Sequence, residues 1–334
     1  MKEATVGIGI AAHNEEANIG RLLENLLNQP LASLEGAARL DEIIVVTSGC
    51  TDRTDEIVAE FAARARAGRE RRVRHISEPE RRGKSSAVNL ILRAARGKDV
   101  LVMLSADNLP ETGAVSNLVK PLLAQKKGEG KEGEERRITK GREEAKVGAV
   151  SSRPTPVNDR ATLFGFVSHL IWDLHYALSL TGEGGVKLTG EFYAIKPSLV
   201  REIPRQVVND DLFVEAKIKE QGYKIEQALN AVSQMKGPET LRDFMRQRVR
   251  IHIGHYQIAR LTGGYVPQTV KTREVLRALK KMIKLKKVHF FVAAILLEGS
   301  AKALAFLLFH LNKIPYKWDY AESTKKIGRR EEET

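Results

Sequence analysis

Several short apolar runs in this sequence stop at residues suited to phosphate, cation and proton chemistry. LVMLSADNLP releases one aspartate, Asp107, from a strand-like stretch and turns at Pro110. A carboxylate placed there can hold a divalent cation against a phosphate-bearing ligand. Capping of a following helix is the other reading of that residue. EPERRGKSSAVN puts Gly83 and Lys84 at a helix start. That offers an amide edge and a cation to a diphosphate, although a plain surface turn also produces the pattern. AAHNEE ends the first run. There Asn14 is a candidate helix cap, and Glu15 and Glu16 suit the positive end of a helix. In TSGCTDRTDEIV, Gly49 permits a tight turn, and Asp52 or Thr54 can cap the next helix. Asp210 and Asp211 stand side by side ahead of LFVEAKIKEQGY. Repulsion between adjacent acids raises the pKa of one of them toward a value useful for a base.

These residues depend on the elements that carry them. Short β-branched runs (from Val6, Glu42, Val73 and Asp99) alternate with amphipathic segments, one bearing Ile19, Leu22, Leu23, Leu26 and Leu27 on one face. Strands apolar on consecutive residues and separated by helices predict a doubly wound, mostly parallel α/β sheet covered on both faces. In such folds ligands gather beyond the carboxyl ends of the strands. The polar residues above fall there.

The chain has 334 residues, 42% apolar and 29% charged, enough for a full α/β core and a smaller appended region. Its one cysteine, Cys50, excludes an intramolecular disulfide framework and a cysteine-rich zinc site. No extended apolar core precedes His13, so the N-terminus reads as a first strand, and the protein is expected on the cytoplasmic side.

A net charge of +13 is concentrated between Lys236 and Lys287, where 14 Lys or Arg face three acids. Such a stretch seeks phosphates of a nucleotide, a nucleic acid or an anionic lipid. It carries His252, His255, Tyr256 and Tyr265, but no recognised nucleic-acid module surrounds them, and no nucleic-acid partner is expected. Residues 126–146 alternate charges and glycines without an apolar period and read as a solvated, mobile insertion. They interrupt a catalytic unit expected over 1–235, followed by a basic helical region over 236–334. Within the latter, 288–311 is long enough to span a membrane, but Glu298 and Lys302 interrupt it, four apart and able to pair on one helix face. With the preceding lysines (Lys280, Lys281, Lys284, Lys286, Lys287), a helix lying in or crossing a membrane is expected.

The order of these motifs resembles the family-2 glycosyltransferases, which have the GT-A fold. AAHNEE stands where the family's first strand ends, and TSGCTDRT where its D-D-G-S-x-D-like motif lies. Ser105-Ala106-Asp107 corresponds to the D-x-D element, Asp210-Asp211 to the acidic pair before an L-x-x-x-x-x-x-x-G-Y helix, and Gln247 to Ile251 to Q-x-x-R-W. The resemblance implies transfer of a sugar from a nucleotide diphosphate to a glycan or a polyprenyl or lipid phosphate at a membrane, with inversion. It implies that Asp107 binds Mg²⁺ or Mn²⁺. Ala12, His13, Asn14, Glu16, Ser48, Lys84, Ser105, Ala106, Gln247 and Arg250 would surround the donor. Gly190 and Glu191 would lie on the acceptor side, Asp211 would be the base and Asp210 its neighbour. KLTGEFYAIKPS (from Lys187) resembles the strand lining the acceptor site; WDLHYALS (from Trp172) and WDYAESTK (from Trp318) echo membrane-linked members.

The departures from the pattern are Ser48 and Ser105 in place of carboxylates and Ile251 in place of the tryptophan. They open the alternative of a non-catalytic nucleotide-sugar or polyanion binder of the same fold. A nucleotidyltransferase would require a glycine-rich loop with an arginine after the first strand, which AAHNEEANIG lacks.

Overall fold

The computed structural model describes residues 3–30, 37–67, 72–124, 145–180, 186–267, 272–282, 287–314 and 322–324. The charged insertion and WDYAESTK as far as residue 321 lie outside the described residues, apart from residues 145–146 of the insertion.

The strands run β1 (Ala4–Ala12), β2 (Ala38–Ser48), β3 (Arg72–Glu78), β4 (Val100–Ser105), β5 (Asn108–Pro110), β6 (Val147–Pro156), β7 (Phe192–Ile195) and β8 (Lys224–Met235). The helices are α1 (Ile19–Leu27), α2 (Thr54–Ala67), α3 (Lys84–Ala94), α4 (Ala114–Ala124), α5 (Leu163–Leu180), α6 (Asp210–Glu220), α7 (Leu241–Leu261), α8 (Thr272–Met282) and α9 (Val288–His310).

One sheet of eight strands has the order β3-β2-β1-β4-β7-β6-β8-β5. Its first half, β3-β2-β1-β4, is parallel, as the alternation of strand and helix predicts. The second half is mixed: β7 runs antiparallel to both β4 and β6, and β5 antiparallel to β8, while β6 and β8 are parallel. Nothing in the local apolar pattern distinguishes the two halves.

The period of two along each strand sends alternate residues to two cores. Val6, Ile8 and Ile10 of β1 and Ile43 and Val45 of β2 meet α1, α2 and α4 on one face. Ile44, Val46, Leu101 and Met103 meet α3 and α6 on the other. Gly9 points to that second face, where an added Cβ would stand 2.3 Å from Cγ2 of Ile91. The VGIGI run of β1 is therefore small where α3 lies close and large on the opposite side.

Register then sets the reactive edge. Ala12 pairs with Thr47 and Ala11 with Ser105, so β1, β2 and β4 end at one level. Because β7 returns antiparallel with Phe192 opposite Leu104, the residues just before Phe192 arrive at that same edge.

The helices beyond the sheet form a second packing region. Val249 and Ile253 of α7 pack on Ala301 and Ala305 of α9, and Val167 of α5 and Phe244 of α7 pack with Ala294. Among the described residues α9 is the one helix long and apolar enough to cross a membrane. Its Glu298 does not turn to Lys302, the partner its spacing suggests. The carboxylate takes a fork from Arg248 (Nε 2.8 Å, Nη2 2.5 Å) and contacts His252 Nε2 at 2.9 Å. A partly buried carboxylate on an apolar helix is better compensated by a planar two-donor cation on the packed side than by an exposed lysine one turn away.

Candidate active site

The first strand end is built by contacts with the second. Asn14 does not cap α1; it adopts a left-handed backbone (φ 54°), and the position preceding the helix is Asn18. The Asn14 side chain instead accepts from Thr51 N at 2.8 Å and donates to Thr51 Oγ1 at 3.1 Å. The backbone amide of Glu16 donates to Asp52, and the Glu16 carboxylate accepts from the Arg53 amide at 3.0 Å. His13 Nδ1 lies 2.8 Å from the carbonyl of Ser48, whose buried hydroxyl has no partner among the described residues. His13, Asn14, Glu16 and Ser48 thus belong to one ridge, formed by two parallel strands ending together. Ala12, the last residue of β1, is buried beneath it.

At the end of β4, the Ser105 amide donates to the Glu191 carbonyl at 2.9 Å, and its hydroxyl donates to the Gly190 carbonyl at 3.2 Å. Ser105 therefore ties the turn before β7 to β4. Ala106 is buried beneath it and Asp107 half-buried beside it. The Glu191 carboxylate accepts from Asn108 Nδ2 at 2.9 Å. Burial raises its pKa above the ordinary value, and the charge of Asp107 raises it further. Lys84, the Asn108 bond and Arg250 oppose that rise. Two carboxylates each within reach of the other's charge, on adjacent strand ends, suit a divalent cation that also takes oxygens from a diphosphate. Among the described residues no group of three His, Cys, Asp or Glu side chains forms a self-sufficient metal cage. Asp107 and Glu191 are the side chains that would face a divalent cation shared with a ligand's oxygens.

Asp210 and Asp211 begin α6, and the structure separates their surroundings. Asp210 is 3% exposed and its Oδ1 meets Lys84 Nζ at 3.2 Å. Desolvation opposes the charge of Lys84, but Asp210, Asp211 and Glu191 together raise its pKa. Asp211 lies against Gly190, where an added Cβ would stand 3.0 Å from its carboxyl group. Burial raises the Asp211 pKa above the usual carboxylate value, and Asp210 adds to the rise against Lys187 and Lys84.

The start of α6 is held by α7. Asn209 donates to the Ile251 carbonyl at 3.0 Å, and a Cβ on Gly254 would meet the Asn209 side chain at 2.3 Å. Further along α7, Gln257 accepts from the Val208 amide. One helical turn before Gly254 on the same stripe stands Arg250, and one before that Gln247. Arg250 Nε is buried without a partner among the described residues, and its charge bears on both Glu191 and Lys84. Residues 236–261 therefore complete the site built by the sheet.

The residues converging at this edge are Asp107, Glu191, Lys84, Asp210, Asp211 and Arg250, drawn from the turn after β4, the turn before β7, α3, α6 and α7. Residues 8–129 match the family described as glycosyl transferase family 2. Over those residues the chain is similar to that family. It is 28% identical over 265 residues to the probable glycosyltransferase YdaM of Bacillus subtilis (strain 168), covering 75% of this chain and 55% of that protein. Over 257 residues it is 23% identical to a poly-beta-1,6-N-acetyl-D-glucosamine synthase of Staphylococcus aureus (strain COL), covering 75% and 54%. The chain thus spans about half the length of these curated relatives. Among solved structures, a mannosyltransferase, PcManGT, from Pyrobaculum calidifontis in complex with GDP-Man and Mn²⁺, superposes with a TM-score of 0.61. It is 21% identical and covers 93% of this chain and 88% of that one. The fold is GT-A.

Sequence reasoning placed Glu191 on the acceptor side; in the structure its charge also meets Asp107 and Lys84. It missed Asn108, which positions Glu191, and Lys187, which faces Asp211. The only local signal for Asn108 was its place directly after Asp107. The basic stretch is not a uniform polyanion surface: His252 and His255 are buried, and the Tyr265 hydroxyl bonds to Glu215.

Proposed function

We propose that this transferase moves a sugar, with inversion, from a nucleotide diphosphate to an acceptor presented at a membrane surface. The observation that carries the reading is the division of labour between the adjacent acids: Asp210 is committed to Lys84, while Asp211 lies against Gly190 with a raised pKa. Asp211 takes the proton from an acceptor hydroxyl as that oxygen attacks the anomeric carbon. The bond from that carbon to the diphosphate breaks, and its electron pair leaves on the diphosphate. Lys84 and Arg250 face the developing charge, with Gln247 on the same stripe as Arg250. Asp107 and Glu191 would hold Mg²⁺ or Mn²⁺, which neutralises the diphosphate when bound. His13, Asn14, Glu16, Ser48, Ser105 and Ala106 form the donor ridge. Mn²⁺ and GDP-Man in PcManGT support this assignment of donor class and cation.

Release of nucleotide diphosphate from GDP-mannose and from UDP-N-acetylglucosamine, with Mn²⁺ or EDTA and with acceptor vesicles, tests the reading. A metal-dependent, acceptor-stimulated release is expected from at least one donor; none from either would overturn it.

The raised pKa of Asp211 sets a pH dependence. The base works only when deprotonated, so turnover falls as pH drops through a value above the ordinary carboxylate range. Asp210→Asn removes one cause of that rise and should move the acid limb to lower pH. A pH profile of kcat for both proteins checks this.

Membrane contact is assigned to α9. Val292, Ile295, Leu296, Phe306 and Leu307 are each more than half exposed, while Ala294, Glu298, Ala301 and Ala305 of the same helix face α5 and α7. A helix packed along its length on the catalytic domain lies in the interface better than it crosses the bilayer. The lysines ahead of it favour the anionic cytoplasmic leaflet. Leu296→Asp should reduce sedimentation with anionic vesicles at low salt by about tenfold, without changing the melting temperature. Equal sedimentation of both proteins would remove the assignment.

A further inference from the structure

The reaction above leaves unused a buried polar cluster one turn along α6 from Asp211. Asp211, Glu215 and Lys219 stand four residues apart and share one stripe of that helix. Glu215 is fully buried. Its Oε2 accepts from the Leu188 amide at 2.7 Å, and its Oε1 accepts from Lys219 Nζ at 2.9 Å and from the Tyr265 hydroxyl. Lys219 also donates to the Tyr265 hydroxyl at 3.1 Å and to the Val186 carbonyl at 3.0 Å. Tyr265 reaches the pair from beyond the end of α7, where Gly263 and Gly264 turn the chain with positive φ (70° and 111°).

The segment fastened in this way is the one that backs the proposed base. Its Val186 carbonyl and Leu188 amide are tied to α6. Thr189 is tied to the sheet instead, its amide donating to Ser151 Oγ at 3.1 Å. The next residue, Gly190, lies against Asp211, with 3.0 Å from the carboxyl group to the position of an added Cβ. A small displacement of residues 186–190 therefore changes the space beside the Asp211 carboxylate.

Core stability alone does not call for this arrangement. Taking a carboxylate fully out of water is costly, and an apolar pair of similar volume would hold the helix as well. What the ion pair adds is direction, because it fixes a backbone amide and a backbone carbonyl at set places. Burial and the charge of Glu215 both raise the Tyr265 pKa, so its hydroxyl stays protonated and continues to donate.

We propose that Tyr265 is a positioning residue for the acceptor: through Glu215 and Lys219 it holds residues 186–190 at the separation from Asp211 that admits an acceptor hydroxyl. This rests on the reading of Asp211 as the base of a glycosyltransferase.

The test uses the full chain with Mn²⁺ and either GDP-mannose or UDP-N-acetylglucosamine. The acceptor is polyprenyl phosphate in phosphatidylcholine vesicles or a short N-acetylglucosamine oligosaccharide, whichever the wild type uses. Tyr265→Phe removes one hydroxyl and leaves Glu215 with the Leu188 amide and Lys219. It should raise acceptor KM by about tenfold, with donor KM unchanged and the melting temperature within a few degrees. Hydrogen–deuterium exchange should quicken at the Leu188 and Thr189 amides of this variant and not in β1. Lys219→Met should share the rise in acceptor KM, and Lys219→Arg, which keeps a cation on Glu215, should restore most of the loss. An unchanged acceptor KM, an equal rise in donor KM, or a raised acceptor KM without faster exchange would overturn the proposal. Should Tyr265→Phe fail to fold, Lys219→Met set against Lys219→Arg decides by the same measures. A wild type that transfers sugar beside an indistinguishable Tyr265→Phe sinks this inference alone. No release of nucleotide diphosphate from either donor sinks the transferase reading, and this inference with it.

Discussion

Asp211→Asn should lower turnover by about two to four orders of magnitude while leaving donor binding intact, the range expected for loss of a general base. The substitution preserves shape against Gly190, where the carboxyl carbon is 3.0 Å from the position of an added Cβ. It also removes the repulsion that Asp210 exerts, so no structural cost is expected. Asp210→Asn should behave differently. Its carboxylate holds Lys84 at 3.2 Å, and its loss frees the cation proposed above to meet the donor diphosphate. Donor KM should therefore rise, with a smaller fall in kcat. Single-turnover rates and donor titrations of the two variants separate these effects. If Asp210→Asn instead abolishes turnover while Asp211→Asn is near normal, the base has been assigned to the wrong neighbour.

The second large effect is expected at Asp107. Asp107→Ala should remove metal-dependent transfer while leaving the melting temperature within a few degrees, because the residue is half-buried at a strand end and not in either core. Glu191 should then ionise more readily, since Asp107 is the charge that raises its pKa most after burial. More than about a tenth of wild-type activity, equivalent to under roughly 1.4 kcal/mol of barrier, would exclude Asp107 as the principal cation ligand. Ser105→Asp supplies a complementary test. Ser105 donates its hydroxyl to the Gly190 carbonyl, a bond that an aspartate cannot make. Tighter metal binding is expected together with some loss of order in the Gly190–Glu191 turn, and metal titration with thermal unfolding measures both.

The parallel half of the fold was legible in the sequence because its signals are local. Consecutive apolar residues make strands buried on both faces, and the period of 3.6 in the intervening segments places α1, α3 and α4. Since β1, β2 and β4 lie parallel and nearly in register, their polar exits were bound to meet at one edge, and AAHNEE, TSGCTDRT and SADN do so. The role of each polar residue in that meeting was less legible. Asn14 has a capping residue's side chain, but the turn needs a left-handed backbone there and sends the amide to Thr51. The Glu16 carboxylate accepts from the Arg53 amide, a bond that joins the first strand end to the second and that the sequence did not signal.

By itself the sequence determined the α/β alternation, the strand-end clustering of polar residues, the Asp210-Asp211 pair and the apolar α9. These follow from periodicity and from residue type at the ends of elements, which depend on neighbours a few positions away. Only the tertiary structure decided that β7 runs antiparallel beside β4 and so brings Glu191 toward Asp107. Only it decided that Asp210 belongs to Lys84 and Asp211 to Gly190, and that Glu298 belongs to Arg248 and His252 and not to Lys302. Each of those choices joins residues far apart in the chain, and the partner is set by the direction of a returning strand or the packing of a helix. A buried charge takes whichever partner best offsets its desolvation, and that partner exists only once the elements have closed around it.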